Sequence, residues 1–502
     1  MNQDLSYGNA GKKQRIVFLV SACILVILFV YRVLLIFSYN GELAGIDNNF
    51  VFDVSRSIAG TGPYTQPALP PFAITLYAPL YFTVCSAIGK MAHINPDQAI
   101  SVYQLCRFVS LLADLVTCIL LYFILRKRFN TSKHLSWLAV AGFACILCKL
   151  GYTFSRSDSF LLAFYAGSLY VLTSPNKNIR NLLLLALFSA GCIFSKQNGI
   201  IVPFAIVSWL LVSSERKKML YYSIAFLGVT GILLVVYKTS YPYLYMNTIT
   251  ALRNRIDPAW FYSDIFKRSM DSLWILPLYF AVVVAVRQWQ NPAKRMDRAI
   301  AAVLILQVLF DLAISLKWGS SVSYFNESLL LAFVILFRNA SESKTHIAVS
   351  TDKIMVVLPL MLLFFFHTIA EGYLFFLQHR SDKKAIYEQQ EEIRSYLQPK
   401  LNSNYVLDLT DPNSDFFKTL FYKEIAVPNM DMADCCTIPD GNFDYSLLKQ
   451  DLTNGKIKYV ITHENDRLSL LWGIPLGHYV KDTTMNGYTL YAFDPAGAGG
   501  MH

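Results

Sequence analysis

Apolar residues in this chain come in blocks of roughly 17–24 bounded by charged residues, the length an α-helix needs to cross about 30 Å of hydrocarbon. Such blocks lie near 16–37, 102–125, 134–153, 159–174, 180–195, 199–213, 219–237, 272–286, 299–316, 322–337 and 354–376, and read as eleven spans. A chain of 502 residues could instead hold several soluble domains, but soluble domains run near a quarter charged. Here apolar residues make up 54% and charged residues 16%, with a mean hydropathy of +0.39. The first block is too long for a cleavable signal and lacks a small-residue cleavage site, so it reads as a retained anchor. The net charge of +10 is explained by Lys and Arg in cytoplasmic loops rather than by a nucleic-acid partner. Seven of the nine cysteines (Cys23, Cys85, Cys106, Cys118, Cys145, Cys148 and Cys192) lie in apolar segments, as small hydrophobes do. Cys435 and Cys436 are adjacent in the polar C-terminal part, and no pair has zinc-type spacing.

A twelfth apolar block, 72–92, follows Pro70-Pro71, carries Pro79 and ends at Lys90, a poor pattern for a straight spanning helix. Charge decides its place. If it does not cross, every inner segment is basic, from Lys12-Lys13 and Arg15 through Arg126-Lys127-Arg128 and Arg216-Lys217-Lys218 to Arg338. The N-terminus is then inside, 38–101 forms a long outer loop with an interfacial or re-entrant helix, and the C-terminus is outside. Two domains follow: a membrane domain over 1–377 and an outer α/β domain over 378–502. In the second, a polar helix over 383–398 ends at Pro399, and strands are expected at Tyr405–Thr410, at 456–462, and at two runs flanking Met485-Asn486-Gly487, a turn signal. It contains no glycine-rich phosphate loop.

With this orientation, the ionisable residues at the outer surface become candidates for chemistry. Asp47 opens a predicted helix that runs to about Ala59, and Asp53 and Arg56 sit three apart on one face of it. An ordinary N-cap explains Asp47 equally well. The next outer turns are Ser155-Arg156-Ser157-Asp158 and Ser195-Lys196-Gln197, and a later one holds Tyr324-Phe325-Asn326-Glu327. A snorkelling arginine and a capping aspartate are the plain alternatives for Arg156 and Asp158. Arg107, Asp114 and Asp311 lie in or at spans, and interhelical pairing is the expected role of the two aspartates.

In their order and sidedness these residues resemble the C-type glycosyltransferases, in particular the protein O-mannosyltransferases and lipid A aminoarabinose transferases. The matching elements are Asp47, Arg56, Gly62, Tyr64 and Tyr77-Ala78-Pro79-Leu80-Tyr81 in the first loop, then Arg156-Ser157-Asp158, Ser195-Lys196-Gln197 and Tyr324-Phe325-Asn326-Glu327, across roughly residues 40–330. Asp47-Asn48 stands where the group usually has two acidic residues, and Tyr77-Ala78 where a basic residue often precedes the Pro-Leu element. The resemblance implies an integral membrane glycosyltransferase of a bacterial cytoplasmic membrane, with its site on the outer face. It implies transfer from a polyprenyl-phosphate sugar to a glycan, glycolipid or protein acceptor, generally with inversion. In that reading Asp47 is the base, Asp158 orients the acceptor or a neighbouring cation, and Arg56, Arg156 and Lys196 are the cations available to the donor phosphate. Tyr324, Asn326 and Glu327 complete the substrate-binding set. Some members of the group use a divalent metal, and no His/Asp cluster in this sequence demands one. A transporter or flippase would place its charges nearer the midplane. A non-catalytic receptor or assembly protein would leave the ordered outer turns unexplained.

Overall fold

The computed structural model describes residues 3–41, 43, 46–150, 153–252, 255–271, 274–290, 295–342, 365, 367, 382–410, 416–428, 443–464, 470–471 and 474–495. The span expected at 354–376, apart from Phe365 and His367, and the Cys435-Cys436 pair lie outside these residues. The helices in chain order are α1 (Gln3–Ile36), α2 (Asp47–Ala59), α3 (Leu80–Met91), α4 (Ala99–Phe123), α5 (Lys133–Leu150), α6 (Asp158–Leu172), α7 (Ile179–Ser195), α8 (Ile201–Val212) and α9 (Arg216–Ser240). Two short turns, α10 (Pro258–Trp260) and α11 (Arg268–Asp271), lead into α12 (Ile275–Trp289), α13 (Arg295–Ser315) and α14 (Asn326–Glu342). A helix over 382–401, here α15, opens the C-terminal part. Among the described residues four helices are long and apolar enough to cross a membrane singly, those at Gln14–Ile36, Ala99–Arg128, Arg216–Ser240 and Arg295–Ser315, and five shorter apolar helices accompany them.

The chain divides into two compact units. The first comprises Met1–Leu35, Ser110–Leu234 and Asn254–Leu377. It is a helical bundle in which α6 packs on α7, α8 and α12 on α13, and α12 and α5 on α14. Its core holds a large apolar cluster that includes Phe143, Leu161, Leu185, Trp209, Leu304 and Phe333, and a smaller one around Ile24, Leu28 and Leu138. Large apolar side chains also cover its outside: Leu227 and Ile232 of α9 are each 67% exposed, and Val26 of α1 is 62% exposed. A surface this apolar is stable only against lipid, and the protein is an integral membrane protein. Several charged groups inside the bundle have partners on other helices. Arg32 Nη1 of α1 donates to Asp114 Oδ2 of α4 at 2.8 Å, and Thr153 Oγ1 donates to the same oxygen at 2.8 Å. Asp311 of α13 accepts from Gln307 in its own helix and from Ser328 of α14, so both span aspartates do make the interhelical contacts expected of them. Arg338 of α14 pairs with Asp297 of α13.

The second unit comprises Ile36–Val109, Val235–Arg253 and Gln378–His502. Its sheet has strands β1 (Tyr405–Asp408), β2 (Ile457–His463), β5 (Tyr479–Met485) and β6 (Tyr488–Phe493) in the order β1-β2-β6-β5, beside a small ribbon of β3 (Leu470–Leu471) and β4 (Ile474–Pro475). β1 and β2 are parallel; β2–β6 and β5–β6 are antiparallel, and the β5–β6 hairpin turns at Asn486-Gly487, both at positive φ. A four-residue helix α16 (Phe417–Leu420) and α17 (Ser446–Thr453) complete the strand-and-helix alternation expected for the tail. The core over the sheet gathers Leu407, Val427, Tyr445, Leu448, Val460 and Tyr479 around Phe72 from the first loop. The first loop and the C-terminal segment therefore share one hydrophobic core.

Candidate functional site

The expected site residues fall into two buried clusters, one in each unit. In the second unit α2 begins at Asp47, runs to Ala59 and stops where Gly60 takes φ +92°, a left-handed C-terminal cap that glycine adopts without strain. Eleven of its thirteen residues are buried, so its polar side chains must find partners inside the protein. Asp47 occupies the first helical position rather than the N-cap, which is Ile46, and its Oδ2 accepts from the Leu43 backbone N–H at 2.9 Å. The Tyr103 hydroxyl donates to Asn48 Oδ1, and Lys418 Nζ donates to Asn49 Oδ1 at 2.8 Å. Asp53 Oδ1 accepts from Thr75 Oγ1 at 2.8 Å. Burial pushes the Asp53 carboxyl well above the usual carboxylate range, more than Thr75, Arg56 and Lys418 together draw it down. Burial likewise lowers the Arg56 pKa, and its guanidinium lies 5.5 Å from the Phe52 ring centroid. Asp53 Oδ2 and Arg56 Nη1 are buried without a hydrogen-bond partner among the described residues.

The loop after α2 is held as firmly. Thr75 N–H donates to Asn247 Oδ1 at 2.8 Å, Asn247 Nδ2 donates to the Thr65 carbonyl at 2.7 Å, and the Tyr64 hydroxyl donates to the Tyr77 carbonyl. Arg107 donates to the Ser38 and Asn40 carbonyls and so ties α4 to the segment leading into α2.

In the first unit the second cluster is built from three helix ends. Asp158 is the first residue of α6, Lys196 follows α7, and Tyr324, Asn326 and Glu327 lie where the short helix Val322–Phe325 meets α14. Lys196 Nζ donates to Asp158 Oδ1 at 2.7 Å and lies 3.4 Å from Ser323 Oγ. Arg156 Nε is 3.5 Å from Asp158 Oδ2, and Lys196 Nζ sits 4.8 Å from the Tyr324 ring centroid. Arg156, Asp158 and Lys196 side chains are 3–7% exposed, so this is a desolvated pair of cations on one carboxylate. Glu327 is within electrostatic range of Lys196 and Asp158. Asn326 is buried with neither side-chain polar atom hydrogen-bonded among the described residues. Lys196 owes its place to a close backbone approach. Its N–H donates to the Cys192 carbonyl, the Gly199 N–H donates to the Lys196 carbonyl, and a Cβ on Gly199 would stand 2.4 Å from Cys192 O.

The structure thus brings six of the eight expected residues (Arg156, Asp158, Lys196, Tyr324, Asn326 and Glu327) into one cluster, with Asp47 and Arg56 on α2 of the other unit. Sequence reasoning missed Arg32, Thr75, Tyr103 and Lys418. Nothing in the sequence distinguishes these partners, which are remote in the chain, from ordinary polar residues. Among the described residues no group of three or more His, Cys, Asp or Glu side chains gathers as metal ligands.

A membrane helical bundle with a long structured first loop and a small C-terminal sheet defines a class. The chain has the fold of the C-type membrane glycosyltransferases, the group its sequence resembles. Two states of ArnT from Cupriavidus metallidurans align over nearly the whole chain. The form bound to undecaprenyl phosphate is 12% identical with a TM-score of 0.60, covering 96% of this chain and 99% of that one. The apo form is 13% identical with a TM-score of 0.61, covering 98% and 100%. The oligosaccharyltransferase AglB from Archaeoglobus fulgidus, in complex with an inhibitory peptide and a dolichol-phosphate, is 11% identical with a TM-score of 0.53, covering 88% and 69%. The family model of dolichyl-phosphate-mannose-protein mannosyltransferases matches residues 101–241. No curated protein gives a significant sequence match.

Proposed function

We propose that this protein transfers a sugar from a polyprenyl-phosphate donor to a glycan, glycolipid or protein acceptor at the outer face of a bacterial cytoplasmic membrane, with inversion. The observation that carries the reading is the buried Arg156–Asp158–Lys196 cluster, two cations on one carboxylate within an apolar bundle. Its two cations suit a phosphate at the membrane interface, and burial strengthens any charge-assisted hydrogen bond made there. The neighbour ArnT has been seen with undecaprenyl phosphate and AglB with a dolichol-phosphate, which supports a lipid-phosphate donor.

In the reaction we assign, the acceptor hydroxyl oxygen attacks the anomeric carbon while the bond from that carbon to the phosphate oxygen breaks. The hydroxyl proton passes to the Asp47 carboxylate, and the charge that develops on the departing lipid phosphate is met by Lys196 and Arg156. Asp158 holds the two cations in register, and Arg56, Tyr324, Asn326 and Glu327 serve substrate binding. The test is turnover by the purified protein in nanodiscs, offered a panel of undecaprenyl-phosphate sugars or nucleotide sugars with a membrane extract as acceptor source. Transfer from the lipid donor is expected. Transfer from a nucleotide sugar, with no lipid-linked intermediate and none from the lipid donors, overturns the proposal.

A further inference from the structure

The C-terminal segment places one charged side chain where the proposed chemistry does not use it. Lys418 of α16 is 6% exposed, and its ammonium donates to Asn49 Oδ1 of α2 at 2.8 Å. A buried ammonium hydrogen-bonded to a neutral amide is a costly way to dock two segments, because against the lost hydration it has that one bond and the field of the Asp53 carboxyl, a group that burial pushes toward its neutral form. A methionine of similar length would fill the same space without that cost. The neighbouring contacts show what the lysine is attached to. Phe416 packs edge-on against Tyr103 with ring centroids 5.5 Å apart, and against Tyr387 at 5.2 Å. The Phe416 N–H donates to Gln390 Oε1 of α15 at 2.7 Å, and Gln390 Nε2 donates to the Tyr488 hydroxyl at 2.7 Å. Lys418 is thereby anchored through α15 to the sheet, and Phe416 supports the ring whose hydroxyl holds Asn48. The two residues that follow Asp47 are each gripped from outside their own helix, Asn48 by Tyr103 and Asn49 by Lys418.

We infer that Lys418 is a positioning residue for the α2 site: acting through Asn49, it fixes the first turn of α2 and with it the carboxylate of Asp47. The inference rests on the transferase reading for its kinetic consequences and on geometry alone for its structural ones. It also gives the sheet-bearing segment a task of its own at α2. The Asn at position 48, where the resembling enzymes usually carry a second acid, belongs to the same arrangement. Its amide oxygen accepts from Tyr103 without adding a second buried negative charge beside Asp47.

The experiment compares full-length wild type, Lys418→Met, Lys418→Arg, Asn49→Ala and Lys418→Met/Asn49→Ala in nanodiscs. For each variant, thermal unfolding, amide hydrogen exchange over residues 47–53, and kcat and KM with the undecaprenyl-phosphate sugar that wild type uses are measured. Displacing a catalytic group by about an ångström costs on the order of 100-fold, so Lys418→Met is expected to lower kcat by about 30-fold. KM for the donor should stay within about 2-fold. Asn49→Ala should cost about as much, the double variant no more than either, and Lys418→Arg should recover part of the loss. Faster exchange in the first turn of α2 should accompany the loss. An unchanged kcat in Lys418→Met, or losses that multiply in the double variant, overturns the inference. If no undecaprenyl-phosphate sugar supports wild-type turnover, the transferase reading fails separately, and exchange alone then decides. Equal exchange over 47–53 in wild type, Lys418→Met and Asn49→Ala refutes positioning, and faster exchange in both variants upholds it.

Discussion

Asp47 and Asp53 lie six residues apart on one helix, equally buried but with different partners. Asp47 accepts the Leu43 backbone N–H, a bond that the Oδ1 of an asparagine can keep. Asp47→Asn should therefore leave folding intact, while removing a general base costs about 10²–10⁴-fold in rate. Asp53 is held by Thr75 in surroundings that disfavour its charged form. The neutral Asp53→Asn resembles the state burial already favours, so its turnover should stay within a few-fold of wild type. Steady-state kinetics with circular dichroism on both variants checks the contrast, and near-normal turnover in Asp47→Asn alongside loss in Asp158→Asn would reverse the roles. The second cluster predicts a different signature. Lys196→Met leaves Asp158 in the bundle with the longer contact to Arg156 and the Ser323 hydroxyl, and breaking a buried pair costs about 3–5 kcal/mol. Adding Asp158→Asn removes the stranded charge, so thermal unfolding of the double variant should recover much of the loss while activity stays absent. A double variant as unstable as Lys196→Met would show that the carboxylate is not what the lysine neutralises.

At the scale of elements, both clusters depend on how helices end. α2 stops at Gly60 with its polar residues turned into protein, and α6 starts at Asp158 with the carboxylate at a helix N-terminus, where negative charge is favoured. The turn after α7 is the tightest. With Gly199 packed on the Cys192 carbonyl, even a methyl group must push the backbone of one element away from the other. Gly199→Ala should therefore displace Lys196 and lower turnover by about 10–100-fold, although no charged residue has changed. Gly228, whose Cβ would meet nothing within 4 Å on the exposed face of α9, is the control, and Gly228→Ala should be silent in the same assay. Equal activity of the two variants would mean that the turn does not set the lysine.

At the scale of the molecule, the charge pattern predicts which side each loop occupies. Single cysteines placed in a cysteine-free protein near Arg126–Lys133 should react only with reagents that reach the cytoplasm, and one beside Asp158 only with impermeant reagents outside. Labelling of both from one side would refute the eleven-span arrangement. The sequence by itself determined the class, because a run of about 20 apolar residues has no stable alternative to lipid or a very large core. It also determined the helix at 47–59, the strands near 405, 457, 479 and 488, and six residues of one cluster. The elements are properties of local periodicity, capping and turn chemistry, and the turns that carry the six residues follow an order that resembles that of the C-type glycosyltransferases. What only the tertiary structure decided is pairing at a distance. Lys418 lies 369 residues from Asn49, and Thr75 meets Asn247 across 172 residues. The first loop and the C-terminal sheet share a core around Phe72 although more than three hundred residues separate them. Such contacts leave no local pattern, since a lysine in a polar segment reads the same in water or buried on a helix. Only the closure of the chain removes the water and makes its hydrogen bond specific.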